Sequence, residues 1–131
     1  MKDLLCGGFQ EAVENSLVRH KSILDVLTKF QESNARVNRS VVKAVTSCGC
    51  VSVKAGKKEI PTDITFSELK TYMESHLEGT LCEHCREIVQ AEMGQHLYYL
   101  AALCNLLGLN LYDTLITEHK KLEALGIFHC Q

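Results

Sequence analysis

The sequence predicts an all-α fold: one domain over residues 1–131, a bundle of about four helices with a small irregular or hairpin insertion within 48–85. Three observations predict it. Proline occurs once in 131 residues. Between Gly8 and Gly49 no glycine or proline interrupts the chain, and apolar residues there recur at alternating steps of four and three, the spacing of one helix face. Further on, Thr65 and Thr80 each stand three residues before a glutamate, a helix-start pattern.

The first long helix carries the seam Ile23, Leu27, Phe30, Asn34, Val37, Val41, Ala44 and Cys48. Asn34 interrupts an otherwise apolar stripe, and Asn38 lies one turn further on. At "CGCVSVKAGKKEIPTD" the periodicity changes. Val51 and Val53 alternate with polar residues, and "AGKK" before Pro61 reads as turn and loop, consistent with a small hairpin. Thr65 and Glu68 form a capping box, with Ile64 and Leu69 spaced for a hydrophobic staple, so a short helix is expected from Thr65 to about Leu77. The next helix is expected from Thr80 to about Leu107, closed by Gly108, and a last one from the N-cap Asn110 to Gly126. On that last helix Leu111, Leu115, Leu122 and Leu125 are expected to face inward.

Composition narrows the class. Hydrophobic residues make up 46% and charged ones 23%, fitting an ordinary globular helical domain. The opening "MKDLLCGGFQEAVEN" lacks the cationic, long-apolar and small-residue regions of a secretory signal. "HLYYLAALCNLLGLNL" is too short and too interrupted to span a membrane. A cytoplasmic protein is expected. The net charge of −2 conceals an asymmetry: Leu17 to Lys58 carries nine Lys or Arg against Asp25 and Glu32, formally +7, and the rest is formally −9. The favoured reading is that the halves pack on each other or on a second copy. Contact of the basic half with phosphate or nucleic acid is the alternative.

Seven cysteines is a high and odd number for a chain of this length, unlike a secreted disulfide scaffold. Cys48 and Cys50 leave the first long helix, and Cys82 and Cys85 open a later one. If these helices are antiparallel neighbours, four sulfurs converge. A closed shell of four thiolates is what a structural Zn²⁺ site uses. The free N–H groups at a helix N-terminus also favour thiolate at Cys82 and Cys85. Unligated thiols, a redox pair at "CEHC" and an iron–sulfur cluster are the competing readings, and His76 or His84 is a substitute ligand. Such a saturated site holds structure together and leaves no open position for water. Cys104 reads as a core residue.

Were the long helices to face one another, Asn34 and Asn38 would meet Glu92 and Gln95. These four polar groups form either a buried amide network or a pocket between helices. Arg36, Arg39 and Lys43, on the same helix but turned from the seam, are candidates to reach phosphates, or else form a solvated face.

The segment "EMGQHLYYLAALCNLLGLNLYDTLITEHKKLEALG" resembles the second half of the MazG-like all-α nucleoside triphosphate pyrophosphohydrolases. Glu92 matches the glutamate of that family's Glu-x-x-Asp motif, and Gln95 stands at its aspartate. "LLGLNLYDTL" matches the family's Leu-Gly-hydrophobic-Asp-Leu turn, with Asn110 for the aspartate. Lys121 matches a later lysine, whereas Glu118 and Leu122 depart. The family's Glu-Glu-x-x-Glu motif aligns with Asn34, Ala35 and Asn38, none of them acidic. The resemblance implies Mg²⁺-dependent cleavage between the α and β phosphates, with Mg²⁺ present only if the chain is active. Amide oxygens are poor ligands for that hard cation. The expectation is therefore a zinc-stabilised MazG-like module without the standard activity, binding a nucleotide or acting through self-association. The resemblance also implies a homo-oligomer, a dimer or tetramer. An active pyrophosphohydrolase with an altered metal site at Glu92 and Glu32, or a nucleic-acid-binding regulator using the basic half, is the alternative.

Overall fold

The computed structural model describes residues 4–17 and 21–125. Among them are five α-helices: α1 (Leu4–Ser16), α2 (Ile23–Lys43), α3 (Phe66–Tyr72), α4 (Glu83–Leu107) and α5 (Leu111–Leu125). Two short strands, β1 (Val51–Val53) and β2 (Leu77–Gly79), complete the secondary structure, so the fold is mainly α-helical as expected.

The helix α1 lies where the sequence pattern marks no separate element. Gly7 and Gly8 are poor helix formers, yet α1 runs through them because Val13 and Phe9 reach the core. Ser22 caps α2, its hydroxyl accepting from the Leu24 N–H at 3.2 Å. At its far end α2 loosens into one π-helical turn, Ala44–Cys48, closed by the Gly49 N–H donating to the Ala44 carbonyl at 2.9 Å. Gly49 then takes a left-handed φ of 81° and releases the chain.

α2 and α4 pack side by side as the central pair, and α1 crosses onto α4. The main core joins Val13, Val26, Ala101 and Ala102. The buried stripe of α2 runs Val26, Ser33 and Ser40, rotated from the expected seam, and leads to the buried Ala44 of the π-helical turn. Small residues let the α4 backbone approach. Ser33 and Ser40 donate their hydroxyls to the Phe30 and Val37 carbonyls, each at 2.7 Å, so burying them leaves no unsatisfied donor. Ile23, Leu27 and Val41 are exposed, as are Asn34 and Asn38.

The short helix ends earlier than the sequence suggests. Thr65 does cap it, accepting from the Glu68 N–H at 3.3 Å, but α3 stops at Tyr72. Leu77–Gly79 instead pairs antiparallel with β1, in the register Val51 to Gly79, Ser52 to Glu78 and Val53 to Leu77. The hairpin therefore closes across the whole 54–76 excursion. Gly79 makes this possible: its φ is +86°, and an added Cβ would sit 2.6 Å from the Cys50 carbonyl oxygen.

α4 begins at Glu83, with Cys82 rather than Thr80 as its cap. It ends as expected at Gly108, left-handed at φ 69°. Asn110 caps α5 by accepting from the Asp113 N–H at 3.0 Å. Gln10 of α1 bridges this corner, donating to the Leu109 carbonyl at 2.8 Å and accepting from the Leu111 N–H at 2.9 Å. α5 bends 106° away from α4. Consequently Leu111 alone of its expected inner face packs on the core, and Leu115, Leu122 and Leu125 are exposed. Gly126, the expected end of that helix, lies outside the described residues. No single described helix is long and apolar enough to cross a membrane.

Candidate metal centre

The π-helical turn, β1, β2 and the first turn of α4 meet at one point. Cys48 ends the π-helical turn, Cys50 precedes β1, Cys82 caps α4, and Cys85 is in its first turn. Their four Sγ atoms all lie within 4.8 Å of one another. Cys48 Sγ and Cys82 Sγ are 3.8 Å apart. A tetrahedral thiolate site with bonds of about 2.3 Å has sulfur–sulfur edges of about 3.8 Å. The four residues can therefore hold a metal ion, with Cys85 buried and Cys48 exposed. A small core of Ala44, Val51 and Cys85 backs the cluster, flanked by Val45 and Leu81.

The local electrostatics favour a cation. The backbone N–H of Cys85 points at Cys82 Sγ at 3.4 Å and, with the Cys85 thiol, lowers the Cys82 pKa to about 7. Cys85 is pushed up to about 12, first by the Cys82 sulfur beside it and then by burial. One thiolate thus forms readily, and negative charge already there opposes the next. A bound cation reverses that opposition.

The histidines stand outside this set. His76 Nδ1 lies 3.2 Å from the Lys54 carbonyl, on a backbone with φ 60°. His84 lines a 330 Å³ cavity beside Cys48 and Cys85 together with Lys43. Cys104 is buried in the main fold, and burial raises its pKa. Cys6 is half-buried.

The polar residues singled out in the sequence divide differently from the expectation. Two adjoining cavities, of about 200 and 540 Å³, run along one flank of the α2–α4 pair. Glu32, Arg36 and Glu92 line both and make them one groove. Gln95 and Tyr99 line one end, and Arg39, Lys43 and Ile88 the other. Asn34 and Asn38 line neither cavity, so they do not meet Glu92 and Gln95. The rotated packing of α2 turns them to the opposite flank. Lys121 also stands apart, in a 480 Å³ cavity on α5 with Asn110 and Glu118, because α5 turns away.

Glu32 takes the place in the groove that Asn34 was expected to fill. Lys29 Nζ and Arg36 Nη2 lie 3.3 and 3.2 Å from its carboxylate, and these partners hold its pKa below the usual value. Ser33, at the groove floor, lies 2.9 Å from His96 Nδ1, and His96 stacks on Phe30 with centroids 4.4 Å apart. Since the Ser33 hydroxyl donates to Phe30, it accepts from His96 and is not poised as a nucleophile. Glu32 and Lys29, three residues apart with Arg36 a turn on, were recognisable as a charged stripe. Tyr99 follows Gln95 by four residues, the spacing that puts both on one helix face.

Fold and site together define a mainly α-helical protein whose two cysteine pairs converge into a cluster able to bind metal. No family model matches this chain, and no curated protein or solved structure matches it either.

Proposed function

We propose that this chain is a zinc-stabilised, MazG-like helical module that binds a phosphorylated small molecule, a nucleotide in the first instance. Binding is assigned to the α2–α4 groove, without the standard Mg²⁺-dependent pyrophosphohydrolase activity. Zinc is the metal assigned to the four-cysteine cluster, since a closed shell of four thiolates is the donor set of a structural zinc site. The cluster then serves as a staple, tying the 54–76 excursion to the ends of α2 and α4.

One observation carries the ligand assignment: Lys29, Arg36, Arg39 and Lys43 line the groove against only two carboxylates, Glu32 and Glu92. Glu32 is already neutralised by Lys29 and Arg36. Arg39 and Lys43 supply uncompensated charge for phosphate at one end, and Tyr99 and Gln95 supply an aromatic face and an amide at the other. Glu92 alone is a poor holder of the paired Mg²⁺ ions that this hydrolysis requires. The likeness of the 92–126 segment to the MazG-like enzymes belongs to this proposal.

A second reading, hydrolysis at an altered metal site, is favoured by one fact: Glu32 and Glu92 share the groove. Calorimetric titration with nucleoside mono-, di- and triphosphates, alongside pyrophosphate assays with Mg²⁺ or Mn²⁺, separates the two. The proposal expects binding that weakens at least tenfold in Arg39→Glu, and no pyrophosphate. Pyrophosphate release abolished by Glu92→Ala establishes the enzyme instead. Nucleic-acid binding gains little from the "KAGKK" segment, whose 510 Å³ cavity mixes Lys54, Lys57 and Lys58 with Glu59 and Glu74.

A further inference from the structure

The cavities beside the α2–α4 pair continue into the metal centre. Glu32, Arg36 and Glu92 join the first two into the groove, and Ser40, Lys43 and Ile88 join that groove to the 330 Å³ cavity beside Cys48 and Cys85. On α4 the lining residues His84, Ile88, Glu92, Gln95 and Tyr99 form one stripe at steps of three and four. At the helical rise this stripe is about 22 Å long. The three cavities are therefore a single trough.

The trough changes character along its length. Its middle is charged: the four cations Lys29, Arg36, Arg39 and Lys43 against the two carboxylates Glu32 and Glu92 leave a formal +2. Its end at the metal centre is apolar. Ile88, 43% exposed, lines that chamber with Ser40, Ala44 and Ser47, whose small side chains leave the space open. The Ser40 hydroxyl is already engaged with the Val37 carbonyl at 2.7 Å. At 330 Å³ the chamber falls within the range of about 300–1,000 Å³ typical of small-molecule sites.

Charge decides what occupies each part. A free triphosphate brings about four negative charges at pH 7, because its terminal phosphate alone carries about 1.5 to 2. A diphosphate esterified at both ends brings about two, which balances the excess in the groove. Beside the chamber, four thiolates around one dication leave a formal −2. That charge repels a terminal phosphate and leaves a neutral group unopposed. We propose, building on nucleotide binding in the groove, that the ligand is a nucleoside diphosphate whose distal phosphate is esterified with an uncharged apolar group. The nucleoside lies at the Tyr99 and Gln95 end, the phosphates lie at Arg39 and Lys43, and the apolar group fills the chamber along Ile88. The chamber is the subsite that selects this class over free nucleoside di- and triphosphates.

The test is calorimetric titration of the full chain, purified without chelator, with ADP, UDP, the matching triphosphates, and the methyl and hexyl esters of each diphosphate at its distal phosphate. The two esters carry the same charge and differ only in apolar surface. The hexyl ester is expected to bind at least about tenfold more tightly than both the methyl ester and the triphosphate. Nuclear Overhauser contacts are expected between the hexyl chain and the Ile88 methyls. Ile88→Asn, checked by circular dichroism and metal content, should bring the hexyl ester to within about threefold of the methyl ester and leave methyl-ester affinity unchanged. Equal affinity for the two esters, or tighter binding of the triphosphate, overturns the chamber assignment and leaves nucleotide binding in the groove standing. No binding of any of these compounds overturns both. Should Ile88→Asn fail to fold, the wild-type comparison decides: a hexyl chain that contacts neither Ile88 nor Ala44 refutes the chamber.

Discussion

Gly79→Ala tests how the cysteine pairs are brought together. The residue has φ +86°, where an L side chain costs about 1–2 kcal/mol. Its Cβ would lie 2.6 Å from the Cys50 carbonyl oxygen, well inside van der Waals contact. That oxygen is backbone, so relief requires moving β1 against β2 and losing about 1 kcal/mol for each ladder hydrogen bond given up. The total is about 2–4 kcal/mol. Moving β1 also shifts Cys50 relative to Cys82, so metal affinity should fall with stability. Gly49→Ala is the control: φ is +81° but nothing lies within 4 Å of the added Cβ, so only the backbone cost of about 1–2 kcal/mol applies. Urea denaturation with and without zinc, together with chelator competition, measures both variants. A Gly79→Ala loss no larger than that of Gly49→Ala, with unchanged zinc affinity, would refute the close approach as the reason for glycine.

Other outcomes follow from the same geometry. Cys85→Ser should abolish stoichiometric metal binding, seen by elemental analysis, while circular dichroism of the long helices persists. Metal binding must displace protons, because Cys85 titrates at about 12 and Cys82 at about 7 in the metal-free cluster. Affinity should therefore rise at least about tenfold per pH unit between pH 6 and 8, and chelator competition across that range checks it. Linkage in the metal-free protein has two signs. Cys82, depressed below its ordinary 9.0, adds stability above pH 9 that is lost as pH falls through about 7. Cys85, raised, adds stability below pH 9 that is lost as pH climbs towards 12. Ser40→Leu should overpack the α2–α4 contact and cost about 1–3 kcal/mol by urea denaturation, although it replaces a polar residue with an apolar one. Gln10→Ala removes both side-chain bonds at the α4–α5 corner and should cost about 1–3 kcal/mol.

The cysteine cluster is legible in the sequence because its elements are local. Each pair sits at a helix end that the periodicity also marks, and antiparallel packing then brings the ends together. The caps at Thr65, Gly108 and Asn110 are legible for the same reason, since their partners lie within a turn. Long-range packing is not so readable. A hydrophobicity pattern treats Ser33 and Ser40 as surface residues, yet each satisfies its own hydroxyl within the helix and so packs as a small spacer. That one feature rotates α2, moves Asn34 and Asn38 out of the groove, and brings Glu32 into it. β2 escapes detection because "LEG" has little strand character; its pairing depends on Gly79 tolerating the backbone of Cys50 and Val51, far away in sequence. α1 is hidden by adjacent glycines whose cost is met by tertiary contacts at Phe9 and Val13.

The metal centre is tested most directly by elemental analysis and zinc-edge X-ray absorption on protein purified without chelator. One zinc per chain with four sulfur neighbours at about 2.3 Å is the expected result. Protein without zinc, or a zinc shell of nitrogen and oxygen that survives replacement of Cys48, Cys50, Cys82 and Cys85 by serine, would contradict it.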